Sequence, residues 1–413
     1  MRSGRGIKMG ELFLDSRLTD LNLESAQTVF GSPSDSYGIV VFSHLRWKFV
    51  WQRPQQFLSR FAANHPVLFM ELTEYDLGDD DEPVLELETV APNVTMANLH
   101  LPIKLHGSEK VNELMRTYCR IAIEAVNVDG SFDNPLLWYY SPMDVAWSMG
   151  YISGRGIVYD CMDELSQFRG APPELVERER QLMQQADIVF TGGYELWLKK
   201  KQQHPNVHFF GCGVEYDHFH KATNGDPLPK DVQALKRPIV GWFGVVDERV
   251  DYDLLAKVAE LRPDYSFVLV GPVVKVDPAT LPQAPNIHWL GGRDYKVLPD
   301  YCRAYDVCMM CFALNEATQY INPTKALEYL ATGKPVVGTP VNDVVRQYSD
   351  TVLIGKTPDD FAELIDRALL NPDREMLRRG DEMAQEASWE STVEKMQILI
   401  SNAIRSQKRA YIS

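Results

Sequence analysis

Short apolar runs recur from Gly38 onward, at 39–43, 66–71, 93–99, 136–141, 156–160, 187–191 and 207–211, with stretches of helical periodicity between them. Strand, helix and strand in alternation at this spacing predict a parallel sheet covered on both faces. The pattern breaks at 221–236, where Asn224-Gly225-Asp226-Pro227 and Pro229 make a turn-rich stretch that reads as a linker. It restarts at 238–243, 266–271, 286–290, 306–312, 335–338 and 351–354. A chain of 413 residues exceeds one typical core, so two domains are expected. The predicted fold class is α/β, with two Rossmann-like doubly wound parallel-sheet domains facing a central cleft. The boundaries read as an N-terminal extension at 1–36, a first domain at 37–220, the linker, a second domain at 237–386 and a C-terminal helix within 387–413. In that helix Val393, Met396, Ile400 and Ala403 fall on one stripe, which is expected to return to the first domain.

Composition excludes several classes. The formal charge of −15 argues against a broad nucleic-acid surface, which needs clustered Lys and Arg. No long apolar run and no leader pattern is apparent, which predicts a cytoplasmic protein. Lys199-Lys200-Lys201 reads as the solvated end of a helix, with a membrane or lipid-phosphate contact at the inner face of the membrane as the alternative. Cys308 and Cys311 form a CxxC within an apolar run, where positions i and i+3 point to opposite faces, so core thiols are expected rather than a metal or redox pair. Asp79 and Asp81 match a DxD but sit in a polar loop beside Pro83, and a solvated turn is the expectation.

Chemistry concentrates at the ends of the predicted strands. The stretch Asn322-Pro323-Thr324-Lys325-Ala326-Leu327-Glu328-Tyr329 reads as a helix capped by Asn322, with Pro323 in its first turn and Gly333 and Pro335 stopping it. Unpaired N–H groups and the positive end of the helix dipole would favour a phosphate there. Thr324 and Lys325 add a hydroxyl and an ammonium, and Glu328 follows on the same face, placed to accept ribose hydroxyls. The plain alternative is an ordinary capped helix with solvated Lys and Glu. Gly244 would let backbone approach a phosphate beside the cation of Arg249, and the Gly291-Gly292-Arg293 turn follows a later strand in the same way. Neither first turn carries GxGxxG, which disfavours a dinucleotide oxidoreductase.

Taken in order, Gly241-Trp242-Phe243-Gly244, Leu290-Gly291-Gly292-Arg293 with Leu298-Pro299-Asp300-Tyr301, and Pro323 to Tyr329 with Gly333-Lys334-Pro335-Val336-Val337 resemble the donor domain of GT-B glycosyltransferases of family 4 type. Gly211-Cys212-Gly213-Val214-Glu215-Tyr216-Asp217-His218-Phe219 is similar to a signature placed before the interdomain linker of that family. His44 to Gln56 resembles a bacterial branch that includes teichuronic acid biosynthesis glycosyltransferases. The resemblance implies transfer of a sugar from a nucleoside diphosphate donor, usually UDP-linked, to an acceptor held by the first domain. Glu328 matches the second Glu of the family's E-x7-E motif, the one expected on the ribose, whereas the first position is Tyr320, so retention of configuration does not carry over. The Pro-Thr-Lys form is also similar to the donor loop of inverting glucuronosyltransferases of xanthan-type synthesis.

The expected function is therefore a metal-independent glycosyltransferase acting on a glycan or lipid-linked acceptor in surface polysaccharide assembly. No cofactor is expected, because the nucleotide-sugar is itself a substrate. Donor binding is assigned to Gly244, Arg249, Gly292, Tyr320, Asn322, Thr324, Lys325 and Glu328. Asp160 is the first candidate for a catalytic base, His44 the second and Asp144 the third; Asp160 and Asp163 could instead cap the following helix. The loop of Arg46, Trp47 and Trp51, with Arg53 and Asp163, is assigned to the acceptor, with interdomain packing as the alternative for the two Trp residues. A sugar-nucleotide epimerase of the same architecture and an inactive glycan-binding or scaffold protein are the competing functions. The sequence carries no signal for the oligomeric state.

Overall fold

The computed structural model describes residues 5–7 and 36–410. Its strands are β1 (Arg5–Ile7), β2 (Ile39–Phe42), β3 (Val67–Met70), β4 (Glu74–Leu77), β5 (Val84–Ala91), β6 (Val94–Pro102), β7 (Leu136–Tyr139), β8 (Gly156–Cys161), β9 (Ile188–Thr191) and β10 (Val207–Phe209). Then follow β11 (Ile239–Phe243), β12 (Ser266–Val270), β13 (Ile287–Gly291), β14 (Val307–Met310), β15 (Val336–Gly338) and β16 (Leu353–Ile354). Every apolar run named above overlaps one of these strands. The chain divides into two compact units, one formed by 1–160, 174–189 and 397–413, the other by 161–173 and 190–396.

One sheet runs in the order β1-β5-β6-β3-β2-β7-β8-β9-β10, with β4 also paired to β6. Its β6-β3-β2-β7-β8 part is parallel, whereas β5 and β1 are antiparallel additions. That antiparallel edge departs from the expected all-parallel sheet. Its strands are easily passed over: β5 reads Val-Leu-Glu-Leu-Glu-Thr-Val-Ala, a half-exposed alternation, and it turns into β6 through Asn93 at φ 57. Of the expected extension at 1–36, Arg5–Ile7 pair with β5, and its remainder up to 35 lies outside the described residues.

The other sheet is parallel throughout, in the order β13-β12-β11-β14-β15-β16. The chain therefore starts in the middle at β11, builds outward to β13, and returns to the other side at β14. That reversal makes a switch point between β11 and β14, where an open α/β sheet leaves a crevice beyond its strand ends. Cys308 packs into the core on one face of this sheet and Cys311 into the core on the other, and burial pushes both thiols up to about 12. They are core thiols, protonated and unreactive at neutral pH.

Residues 221–236, expected to be a linker, lie inside the second unit and place Val232 in its core. The segment 190–220 also belongs to this unit, as do 387–396. The final helix, Trp389–Ala410, belongs to the first unit from 397 onward, and Ile404 Cγ1 lies 3.1 Å from where a β-carbon on Gly156 would stand. No helix of the described residues is long and apolar enough to cross a membrane.

Candidate active site

The second unit assembles its site at the switch point. The loops leaving β11 and β14 are tied together: Asp251 N–H donates to the Cys311 carbonyl at 2.8 Å, Ala313 N–H to the Arg249 carbonyl at 2.8 Å, and Asn315 Nδ2 to the Glu248 carbonyl at 3.2 Å. The β14 loop leads into the short helix Lys325–Leu330. Its Tyr329, fully buried, accepts the Phe243 N–H at 2.8 Å and so pins the helix to the C-terminal end of β11. Beyond Phe243 the chain needs glycine. Gly244 adopts φ 151, and a β-carbon on Gly271, at the end of β12, would stand 1.6 Å from the Gly244 carbonyl oxygen. Two strand ends thus touch through bare backbone.

Lys325 and Glu328 stand at this place. Lys325 Nζ donates to Glu328 Oε2 at 2.8 Å and lies 4.6 Å from the centre of the Phe243 ring, and its Cε is 3.3 Å from where a Gly244 β-carbon would be. The Lys and Glu side chains keep 19% and 10% of their surface exposed, so the pair is largely withdrawn from water yet reachable by a ligand. The sequence placed Lys325, Glu328 and Gly244 together, and the structure brings them together.

Asn322 does not cap the helix. Thr324 holds the cap position at φ −53 without a side-chain hydrogen bond. A residue in a helical conformation there leaves its hydroxyl off the line to the N–H groups, so the expected capping geometry is replaced. The Asn322 side-chain Nδ2 and Oδ1 are both buried with no hydrogen-bond partner among the described residues. Arg249 is not a lone cation either: its Nε and Nη2 fork onto Asp247 at 2.7–3.1 Å, and Asp247 is a partner that sequence reasoning missed although it stands two positions away. Asp163 and Glu248 add their fields to this guanidinium, and Phe168 lies under it at 6.0 Å. Gly292 is exposed, and a β-carbon there would meet nothing closer than 3.7 Å, so no close approach requires glycine at that position. Tyr320 is half-buried, its ring 4.9 Å from Lys199 Nζ.

The Lys199-Lys200-Lys201 run is not a solvated helix end. Lys200 is fully buried, and both it and Lys199 reach Glu164 Oε2, at 3.0 and 2.9 Å, while Lys201 lies over the Trp197 ring. Burial alone would raise the Glu164 carboxyl; the two ammoniums hold it below its ordinary value. One buried carboxylate, rather than water, is thus shared by two of the three ammonium groups. The sequence signal for this was absent, because Glu164 lies far from the run in the chain.

In the first unit the β2–β7 neighbourhood is the corresponding switch point. His44 follows β2 and is half-buried. Asp144 closes the single turn Pro142–Asp144 after β7; its Oδ1 accepts from Trp147 Nε1 at 2.9 Å, and burial pushes its carboxyl up to about 6. Asp160 is different. It is fully buried in β8, and Arg53, itself 3% exposed, donates to Oδ1 from Nε at 3.0 Å and Nη2 at 2.8 Å, with Nε also 3.2 Å from Oδ2. A carboxylate clamped in this way has no path to take a proton from a substrate, which removes Asp160 from the place of catalytic base and Arg53 from acceptor binding.

Trp47 is also interior rather than a sugar platform: it is 4% exposed, packs edge-on against Phe69 at 5.2 Å and Trp51 at 6.0 Å, and its backbone N–H donates to Glu71 Oε1. Arg46 remains partly exposed but is paired with Glu74 at 2.5 Å, and Trp51 is half-buried. Asp79 and Asp81 form the expected turn, accepting the Lys104 and Gly78 N–H groups.

Residues 237–371 match the family model described as glycosyl transferases group 1. The chain is 29% identical over 254 residues to a putative teichuronic acid biosynthesis glycosyltransferase, TuaH, of Bacillus subtilis (strain 168), a match spanning 56% of this chain and 63% of that protein, less than two thirds of its length. Among solved structures it is similar to sucrose-phosphate synthase from Thermosynechococcus elongatus, with a TM-score of 0.66 at 18% identity over 90% of this chain and 100% of the other. It is also similar to a trehalose-6-phosphate structure from E. coli bound with UDP-2-fluoro glucose, with a TM-score of 0.61 at 15% identity over 90% of this chain and 99% of the other.

Proposed function

We propose that the protein, whose residues 237–371 match the model of glycosyl transferases group 1 and whose fold is that of the solved structures above, moves a hexosyl group from a UDP-linked donor to a glycan or lipid-linked acceptor in surface polysaccharide assembly. The observation that carries this reading is the Lys325–Glu328 pair at the glycine crossing of Gly244 and Gly271. Bare backbone admits a diphosphate, Lys325 meets its charge, and Glu328 accepts the ribose hydroxyls once Lys325 turns toward phosphate. Thr324 and the Asn322 amide, whose buried atoms lack partners, complete the donor pocket. The relative of Bacillus subtilis, named for teichuronic acid biosynthesis, supports a polysaccharide acceptor.

Transfer requires a departing diphosphate to be stabilised and an acceptor hydroxyl to lose its proton. Lys325 supplies the fixed positive charge for the first, so the reaction is proposed to need no metal. For the second, Asp144 replaces Asp160 as the favoured base: a carboxyl near 6 at the end of a parallel strand is ionised at neutral pH and still basic enough to take a proton. His44 is the second candidate. The test is incubation with UDP-hexoses and a lipid-diphosphate glycan acceptor, following both UDP release and the fate of the sugar. Sugar joined to the acceptor, with turnover unchanged by a chelator, supports the reading. UDP release with no acceptor product favours an epimerase, and donor binding with no turnover favours a scaffold.

A further inference from the structure

Residues 161–173 belong to the second unit, and the transfer chemistry described above uses none of them. One end of the segment is fixed. Glu164 is buried; its Oε2 takes the ammoniums of Lys199 and Lys200, and its Oε1 accepts the Ser166 hydroxyl at 2.9 Å. Beyond it come the single turn Leu165–Gln167 and then Gly170, which bends the chain back at φ 78. The tip between them is held by weaker contacts. Arg169 N–H donates to Glu248 Oε1 at 3.2 Å, and the half-buried Phe168 ring has Arg249 Cζ 6.0 Å and Lys275 Nζ 5.7 Å from its centre. Cations at the outer limit of ring contact hold little and are readily exchanged.

The tip's partners come from the loops that make the candidate donor site. Glu248 and Arg249 follow β11 and Lys275 follows β12, the strands whose ends meet at Gly244 and Gly271. From that crossing the two loops run outward side by side, with Val246 N–H donating to the Pro272 carbonyl and Val274 N–H to the Val246 carbonyl, each at 2.9 Å. Phe168 bridges them one step farther out. Lys275 adopts φ 61, a left-handed conformation that a lysine seldom takes and that recurs where backbone is shaped around a site. An apolar ring thus lies across the rim of the crossing, on a segment fixed at one end by a buried ion cluster and loosely seated at its tip. Segments that open for a substrate and close over it are drawn from such lightly held structure.

We propose that residues 165–171 are a flap whose Phe168 ring closes the outer side of the donor pocket and keeps water from the anomeric carbon during transfer, a role that rests on the donor site proposed above. In transfer, the acceptor oxygen bonds to the anomeric carbon as the bond from that carbon to the diphosphate oxygen breaks. Water in the acceptor's place forms the same bond, gives up one proton to solvent, and leaves free sugar and UDP. Phe168 touches no reacting atom; it decides which oxygen reaches the carbon by taking up the space through which solvent would enter.

The experiment uses the full chain as wild type, Phe168→Ala and Phe168→Tyr, with circular dichroism verifying that each is folded. Calorimetry with UDP reports the donor site, and UDP release from a panel of UDP-hexoses without acceptor reports attack by water. The expected result is UDP affinity within about twofold in all three proteins, UDP release at least about fivefold faster in Phe168→Ala, and the wild-type rate in Phe168→Tyr, which keeps a ring. Equal release from wild type and Phe168→Ala, equal acceleration in both variants, or loss of UDP binding in Phe168→Ala would each overturn the flap. No UDP binding by the wild-type chain is a separate result, which overturns the donor site and the flap with it.

Discussion

Two ion pairs, each reached from a strand end, show how alike residues divide between holding a fold and serving a ligand. Arg53–Asp160 in the first unit is closed: neither side chain exceeds 3% exposure, and Arg53 reaches both carboxylate oxygens. Lys325–Glu328 in the second unit is a single contact at 2.8 Å, partly exposed, beside backbone stripped of side chains. The first has nothing left to offer a substrate. Under the proposed function the second exchanges its internal bond for bonds to phosphate and ribose, so that both groups stay paired throughout.

The largest expected effect breaks the closed pair. Arg53→Met leaves the Asp160 charge buried and uncompensated, and urea unfolding should show a loss of about 3–5 kcal/mol. Asp160→Asn should likewise be unstable; a variant as stable as wild type but devoid of transfer would return Asp160 to the chemistry. Next comes the glycine crossing. Gly271→Ala drives a β-carbon into the Gly244 carbonyl, and we expect both a lower melting temperature and lost UDP binding. Lys325→Ala should leave the fold intact and weaken UDP by roughly tenfold to a hundredfold, the value of one charge-assisted bond.

A pH effect sharpens the comparison further. Burial raises Asp144, so its protonated form is favoured by folding; that contribution is full at low pH and is lost as pH rises through about 6. Its activity as a base runs the opposite way. The turnover rate should fall below about pH 6 in the wild type, and Asp144→Asn should abolish that limb together with most of the rate. A wild-type limb retained in Asp144→Asn would move the base to His44. The smallest effect is expected from Arg46→Ala, a partly exposed pair whose loss should shift stability by no more than about 1 kcal/mol in thermal unfolding.

The second unit was legible because its strands are continuous apolar runs and each site residue sits at a recognisable strand end or helix start: Lys325 and Glu328 share one short helix, and Gly244 ends an apolar run. What escaped were partners brought in from a distance or hidden by polarity. Glu164 reaches Lys199 and Lys200 from a separate segment, Arg53 meets Asp160 across more than a hundred positions, and β5 hides behind its glutamates. The role of Asn322 failed for a local reason, since the helical conformation of Thr324 takes over the cap position. Charged residues at strand ends are thus easy to find in a sequence, whereas whether each is already paired is a tertiary fact.

The central claim is that Glu328 and Lys325 hold the nucleotide, and calorimetric titration of UDP into the wild-type chain, Glu328→Ala and Lys325→Ala tests it most directly. The account predicts one UDP per wild-type chain, with at least about tenfold weaker binding in each folded variant. Equal affinity in all three proteins would contradict it and place the donor elsewhere.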